Sequence, residues 1–212
     1  MTNFPSPFRY PKSKHRRKHN PRYRTNKSYK PVLRDEFNRQ CIYCRQPEFF
    51  NLAGFGVEHY KPKEKFPELE WEYDNLFYAC NCGNSRKGES WPTETQLRNN
   101  VFVPNPCEHI MFEHLKFAGA KFEIRSKTGI YTDELLDFND DVSVNFREII
   151  IYLIEKIIND LKLTGNTILK LEKKLRDKPL DNEKIEIKKD IAKLNDKISI
   201  LESKLIGCGV SL

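Results

Sequence analysis

The chain has 212 residues, of which 38% are hydrophobic and 32% charged, with 37 Lys/Arg against 30 Asp/Glu. No apolar run reaches the 18 or more residues that a helical bilayer span needs, which excludes an integral membrane protein built of helices. The opening stretch MTNFPSPFRYPK lacks the apolar core of a secretory leader, so a cytoplasmic location is expected.

The charge is unevenly placed. Residues 1–34 hold eleven Lys/Arg and no acid, and the rest of the chain holds 26 Lys/Arg against 30 Asp/Glu. A local, one-signed run is the electrostatic footprint of a polyphosphate partner, so nucleic acid is expected. The bland alternative is a solubilising tail.

In chain order, residues 1–30 are rich in Pro and Lys/Arg without apolar periodicity and predict an extended basic arm. A short helix is expected from Val32 to Gln40, running into Cys41-Ile-Tyr-Cys44. Residues 41–103 contain short segments, aromatics and most of the six cysteines, which predicts a small motif-dense domain. Residues 104–147 carry apolar clusters separated by turns, and Lys127-Thr128-Gly129 predicts a turn after a strand. We group 31–147 as one domain with α+β character.

Beyond residue 147 the pattern becomes helical. Ile154, Ile157, Leu161, Thr164, Ile168, Leu171 and Leu175 step by three and four, as do Ile187, Ile191, Leu194, Ile198, Leu201 and Leu205. These are heptad seams. Pro179 stops one helix and an Asp/Asn caps the next, predicting an antiparallel helical hairpin over 148–206, with 207–212 as a tail. Thr164 and Gly165 weaken the first helix and predict a kink. The hairpin packs internally or pairs with another subunit; its spacing serves either.

The chemistry-bearing residues fall in four groups: Cys41 and Cys44; Glu58-His59 with Pro62; Asn75-Leu76; and Cys80-Asn-Cys82-Gly-Asn84-Ser-Arg86-Lys87. Paired cysteines in a cytoplasmic chain point to metal rather than a disulfide framework. A redox Cys-x-x-Cys is disfavoured because no βαβ pattern surrounds it. A histidine titrating near neutrality can take a proton from water. A carboxylate and an amide oxygen suit Mg²⁺, which takes hard oxygen ligands and keeps several waters. Phosphodiester hydrolysis needs such a set.

In this order and spacing the set resembles the HNH endonuclease family in its zinc-containing branch. Its core is a β-hairpin followed by a helix clamped on a metal (ββα-metal). The resemblance implies His59 as general base, Glu58 and Asn84 as ligands of a catalytic Mg²⁺ or Mn²⁺, and Asn75 as a brace of the hairpin loop. Asn84 is selected over Asn81 because it lies nine residues after Asn75, and Asn81 is then a loop filler. Lys87 and Arg86 are candidate phosphate contacts. Cys41, Cys44, Cys80 and Cys82 are the implied structural Zn²⁺ ligands, although the family places its last cysteine at position 83, which here is Gly. Cys107 is the reserve ligand and His109 a remoter one; Cys208 is expected to be a bystander.

Residues 30–147 further resemble the HNH nucleases of retron and Septu-type anti-phage systems. That resemblance implies an effector of defence working with an ATPase partner. The rival reading is a zinc-stapled nucleic-acid-binding or adaptor module without cutting activity.

Overall fold

The computed structural model describes residues 8–50, 53–177, 180–207 and 210. Residues 1–7 of the arm, Pro179 at the predicted helix stop, Cys208 and most of the tail lie outside the described residues. The chain divides into two compact units, one up to Glu148 and one from Ile149. The architecture is α+β: helices with two separate antiparallel strand pairs.

The first unit opens with a strap rather than a free arm. Phe8 and Tyr10 are buried, and the Tyr10 hydroxyl donates to the Tyr43 carbonyl. His15 Nε2 lies 2.8 Å from the carboxylate of Glu36, which is itself buried. The Arg17 guanidinium lies 4.7, 4.8 and 5.3 Å from the ring centres of Phe77, Tyr73 and Phe37. It also donates to the Leu76 carbonyl at 2.8 Å. A desolvated cation over aromatic faces is held there by the ring quadrupoles. Arg9, Lys12, Lys14, Arg16, Lys18, Arg22 and Arg24 remain exposed.

Helix α1 spans Asn26–Glu36, earlier than the 32–40 expected. Thr25 caps it by accepting from the Ser28 amide. Pro31 sits inside and cannot donate the usual bond, which is why the sequence reads as a later start. Buried Tyr29 and Leu33 hold the helix through their packing, and the Tyr29 hydroxyl donates to the Trp71 carbonyl at 2.6 Å.

Strands β1 (Phe55–His59) and β2 (Leu76–Cys80) pair antiparallel, Phe55 opposite Cys80 and His59 opposite Leu76. All five β2 residues are buried. The Cys41–Cys44 segment lies against β2, with the Ile42 amide donating to the Tyr78 carbonyl at 2.9 Å. Helix α2 (Asn81–Lys87) follows β2 directly, with Cys80 as its cap residue.

Helices α3 (Glu94–Arg98) and α4 (Met111–His114) lead to strands β3 (Leu115–Ala118) and β4 (Lys121–Ile124). The β3–β4 turn uses Gly119 at φ +64°, a conformation that glycine adopts without a Cβ penalty. The turn expected at 127–129 is instead the first turn of α5 (Lys127–Leu136), whose cap Ser126 accepts from the Gly129 amide. A Cβ on Gly129 would stand 2.2 Å from the His114 carbonyl oxygen, so the close approach of α5 to α4 requires glycine.

Helix α6 (Asp141–Arg176) begins in the first unit and forms the second with α7 (Asp181–Gly207). It runs through Thr164-Gly165 as one helix of 36 residues, so the predicted kink does not break it. The Thr164 hydroxyl bonds back to the Asp160 carbonyl at 2.7 Å. In α6 the covered residues include Ile154, Ile158, Leu161, Thr164, Ile168, Leu171 and Leu175; in α7 they include Ile187, Ile191, Leu194, Ile198, Leu201 and Leu205. Both sets follow the heptad seams, with Ile158 joining Ile157. No described helix is long and apolar enough to cross a membrane.

Candidate functional site: a cysteine cluster beside a β-hairpin and helix

Three elements converge on β2. The Cys41–Cys44 knuckle turns tightly: the Cys41 amide donates to Gln46 O at 2.9 Å and the Arg45 amide to Cys41 O at 3.0 Å, with Arg45 at φ +58°. Cys80 arrives from the end of β2. The sulfur atoms of Cys41, Cys44 and Cys80 all lie within 4.8 Å of one another, and Cys44 and Cys80 are 3.7 Å apart. Thiolates at about 2.3 Å from a tetrahedral zinc sit roughly 3.8 Å from each other, so the spacing fits that ion. Among the described residues this is the one group of His, Cys, Asp and Glu side chains drawn together as metal ligands.

Burial opposes ionisation of Cys41, but hydrogen bonding with Cys44 and Cys80 more than offsets it and holds this thiol well below its usual value. The bond with Cys41 pushes Cys44 up, and its bonds with Cys41 and Cys44 push Cys80 up. Three thiols this close, Cys41 and Cys80 buried and Cys44 partly so, are suited to a cation, which deprotonates coordinating thiols outright. The donor set therefore fits zinc.

Cys82 departs from the four-cysteine expectation. It is exposed on α2, and its sulfur is not in the cluster. Cys107 stands elsewhere, where burial raises its pKa and its charged neighbours are Arg17, Glu36 and Asp74. His109 shares its Nδ1 with the Asn105 backbone, at 3.2 Å to both the amide and the carbonyl. The physical reason for Cys82 is its helical position: one residue along α2 turns a side chain by about 100°, so Gly83 rather than Cys82 faces the sulfurs.

The Glu58-His59 pair ends β1, and α2 lies along the strand. Glu58 is 2% exposed. Its Oε1 receives the Tyr43 hydroxyl at 3.0 Å and lies 2.7 Å from Lys87 Nζ. Burial pushes the carboxyl up to about 7, against the pull of Lys87 and Tyr43. Lys87, also 2% exposed, donates further to the His59 carbonyl at 2.9 Å. Its ammonium is thus engaged inside the module.

The His59 ring is half-buried, with Nε2 3.1 Å from the Glu70 carbonyl. Burial lowers its pKa from the ordinary value, the Glu70 carbonyl opposes that, and nearby Lys63 adds to it. Burial therefore favours the neutral ring.

Asn84 is half-buried, with its Nδ2 3.5 Å from where a Gly56 Cβ would stand. Alternate strand residues share a face, so Gly56 and Glu58 point toward α2 together, and Asn84 and Lys87 lie over them one helical turn apart. Asn75 is buried and ties the hairpin loop. It accepts from the Lys61 amide at 2.8 Å and donates to the Lys61 and Leu69 carbonyls at 3.0 and 3.2 Å. Arg86 donates to the Leu136 and Asp137 carbonyls and pairs with Asp140 at 3.2 Å, so its fork closes the end of α5.

Two residues had no sequence signal for their place here. Tyr43 lies between the first two cysteines, and its contact with Glu58 depends on the knuckle packing beside β1. Asn81 does more than fill a loop: its amide nitrogen donates to the Ala53 carbonyl at 2.6 Å and fixes the entry to β1.

No family model matches the chain, and no solved structure matches it. Over 86 residues, 40% of its length, the chain is 30% identical to the Septu protein PtuB of Bacillus thuringiensis, and it spans about a third of that relative, 33%.

Proposed function

We propose that the chain is a metal-dependent endonuclease of the HNH type, with a ββα-metal core clipped by zinc, acting on nucleic acid as an effector of anti-phage defence. The observation that carries the reading is α2 lying along β1, with Asn84 over Gly56 and Lys87 on Glu58; His59 is the last residue of β1, its ring turned to the Glu70 carbonyl. The similarity to a Septu protein supports the defence role and membership of a multi-protein system, for which an ATPase is the partner to test.

In this reading His59, neutral and half-buried, takes the proton of the attacking water. Glu58 and Asn84 offer one carboxylate and one amide oxygen on the same face, a hard donor set that fits Mg²⁺ or Mn²⁺. Tyr43 and Lys87 both meet Oε1 of Glu58, and Oε2 is the oxygen that would hold the ion. The ion, when bound, neutralises charge on the phosphoryl and leaving oxygens. Asn75 keeps the loop that carries Lys61 in register with the end of β1. Exposed arm residues such as Arg16 and Arg22 supply sequence-independent attraction to phosphates, and DNA is the expected polymer.

A specific observation favours a second reading. Glu58 is pinned by Lys87 and Tyr43, so the pair also serves as the buried polar core of a binding or adaptor module that never cuts. A cleavage assay separates the two. Supercoiled and linear DNA, and RNA, are incubated with Mg²⁺ or Mn²⁺, with and without an ATPase partner. The nuclease reading expects nicking by wild type and its loss in Glu58→Gln and Asn84→Ala; binding without cutting under every condition supports the adaptor.

A further inference from the structure

Position 83 decides how the cysteine cluster is completed. A Cβ built on Gly83 would stand 3.3 Å from Cys80 Sγ and 3.9 Å from Cys41 Sγ. A side chain at Gly83 would therefore point toward the Cys80 and Cys41 sulfurs, with the Tyr43 ring 3.8 Å away, and three thiolates fill only three of the four positions of a tetrahedral ion. No described His, Asp or Glu joins the group. Cys82 is exposed on the neighbouring helical position.

The gap is not sealed. Cys44, Cys80, Cys82 and Gly83 border a partly open cavity of about 210 Å³ that Phe138 and Phe146 also line, so Cys82 is the competing occupant that the test must separate. That volume exceeds the roughly 30 Å³ share of one water several-fold, so a small molecule fits. Arg86 and Arg147 also line it, but Arg86 is held by Asp140 and the Leu136 and Asp137 carbonyls and Arg147 by the Ala120 and Phe138 carbonyls, so their charge is already met.

We propose that the metal centre formed by Cys41, Cys44 and Cys80 keeps an open fourth vertex at Gly83 that binds a small exogenous ligand from the cavity. At rest the ligand is water, and a small thiolate replaces it. In the exchange the incoming thiol releases its proton to solvent, the metal–sulfur bond forms and the metal–water bond breaks. The inference rests on the metal-clip part of the reading above and is independent of nuclease activity.

The test is the visible absorption of the full chain loaded with Co²⁺ in place of zinc. Wild type is expected to show a thiolate-to-cobalt band about three quarters as intense as that of Gly83→Cys, one thiolate fewer in four. Adding 2-mercaptoethanol should raise and shift the wild-type bands but leave Gly83→Cys unchanged. Cys82→Ser, which needs no repacking at the cluster, should respond to the thiol as wild type does. A wild-type spectrum that ignores the thiol, or a Cys82→Ser band that falls by about a quarter, overturns the open vertex, because Cys82 then completes the site. A chain that takes up no cobalt overturns both this inference and the metal clip, whereas a silent cleavage assay touches only the nuclease reading.

Discussion

Glu58 concentrates the conflict at this site. Its carboxyl is buried, so its affinity for a proton is raised, yet it faces an ammonium and a phenol. The sign of the pH effect follows from the raised value. Without a divalent ion, the proton bound by the folded state stabilises it fully below pH 4.5, and this contribution is lost as pH rises through about 7. The span corresponds to about 3 kcal/mol. Urea unfolding of the metal-free chain at pH 5 and pH 7.5 should show this loss in wild type and a much flatter dependence in Glu58→Gln. A divalent ion should reverse the trend by favouring the ionised form. Glu58, His59, Asn75 and Asn84 stand out as candidates in the sequence because their order and spacing are local properties of it. The engagement of Lys87 does not, since it depends on α2 lying along β1, and neither does the role of Gly83, a residue whose effect is a missing side chain.

Elements show a similar division. Periodic ones were readable: the heptad seams of α6 and α7 coincide with their covered faces. The strap over residues 8–25 was not, because it is anchored by single residues without a period. Arg17 is its main anchor, with three rings and the Leu76 carbonyl around one guanidinium. Arg17→Ala should lower stability by about 2–3 kcal/mol, from lost cation–π contact and a charge-assisted hydrogen bond. Chemical denaturation reads this directly; a change under 0.5 kcal/mol, the level of an ordinary surface substitution, would show the strap to be decorative. Gly165 offers the opposite case. A Cβ there meets nothing within 4 Å inside an unbroken helix. Gly165→Ala should therefore stabilise by roughly 0.5–1 kcal/mol, seen as a higher unfolding midpoint.

For the whole molecule, net charge of +7 and exposed arm cations lead to a binding prediction. Affinity for duplex DNA should fall linearly on a log–log plot against salt, and replacing Arg16 and Arg22 together should reduce that slope by about 2. An unchanged slope would place the phosphate contacts elsewhere. Folding joins distant pieces of the chain here: a cysteine knuckle from residues 41–44, a hairpin from 55–80 and the helix that follows. The proposed nuclease depends on that assembly presenting one neutral histidine to water. The most direct measurement is single-turnover nicking of DNA with Mn²⁺ by wild type and His59→Ala, with and without added imidazole. A general-base role for His59 predicts a loss of about 10²–10⁴-fold on substitution, partly restored by imidazole acting as the missing base. Cleavage by His59→Ala at the wild-type rate would contradict it.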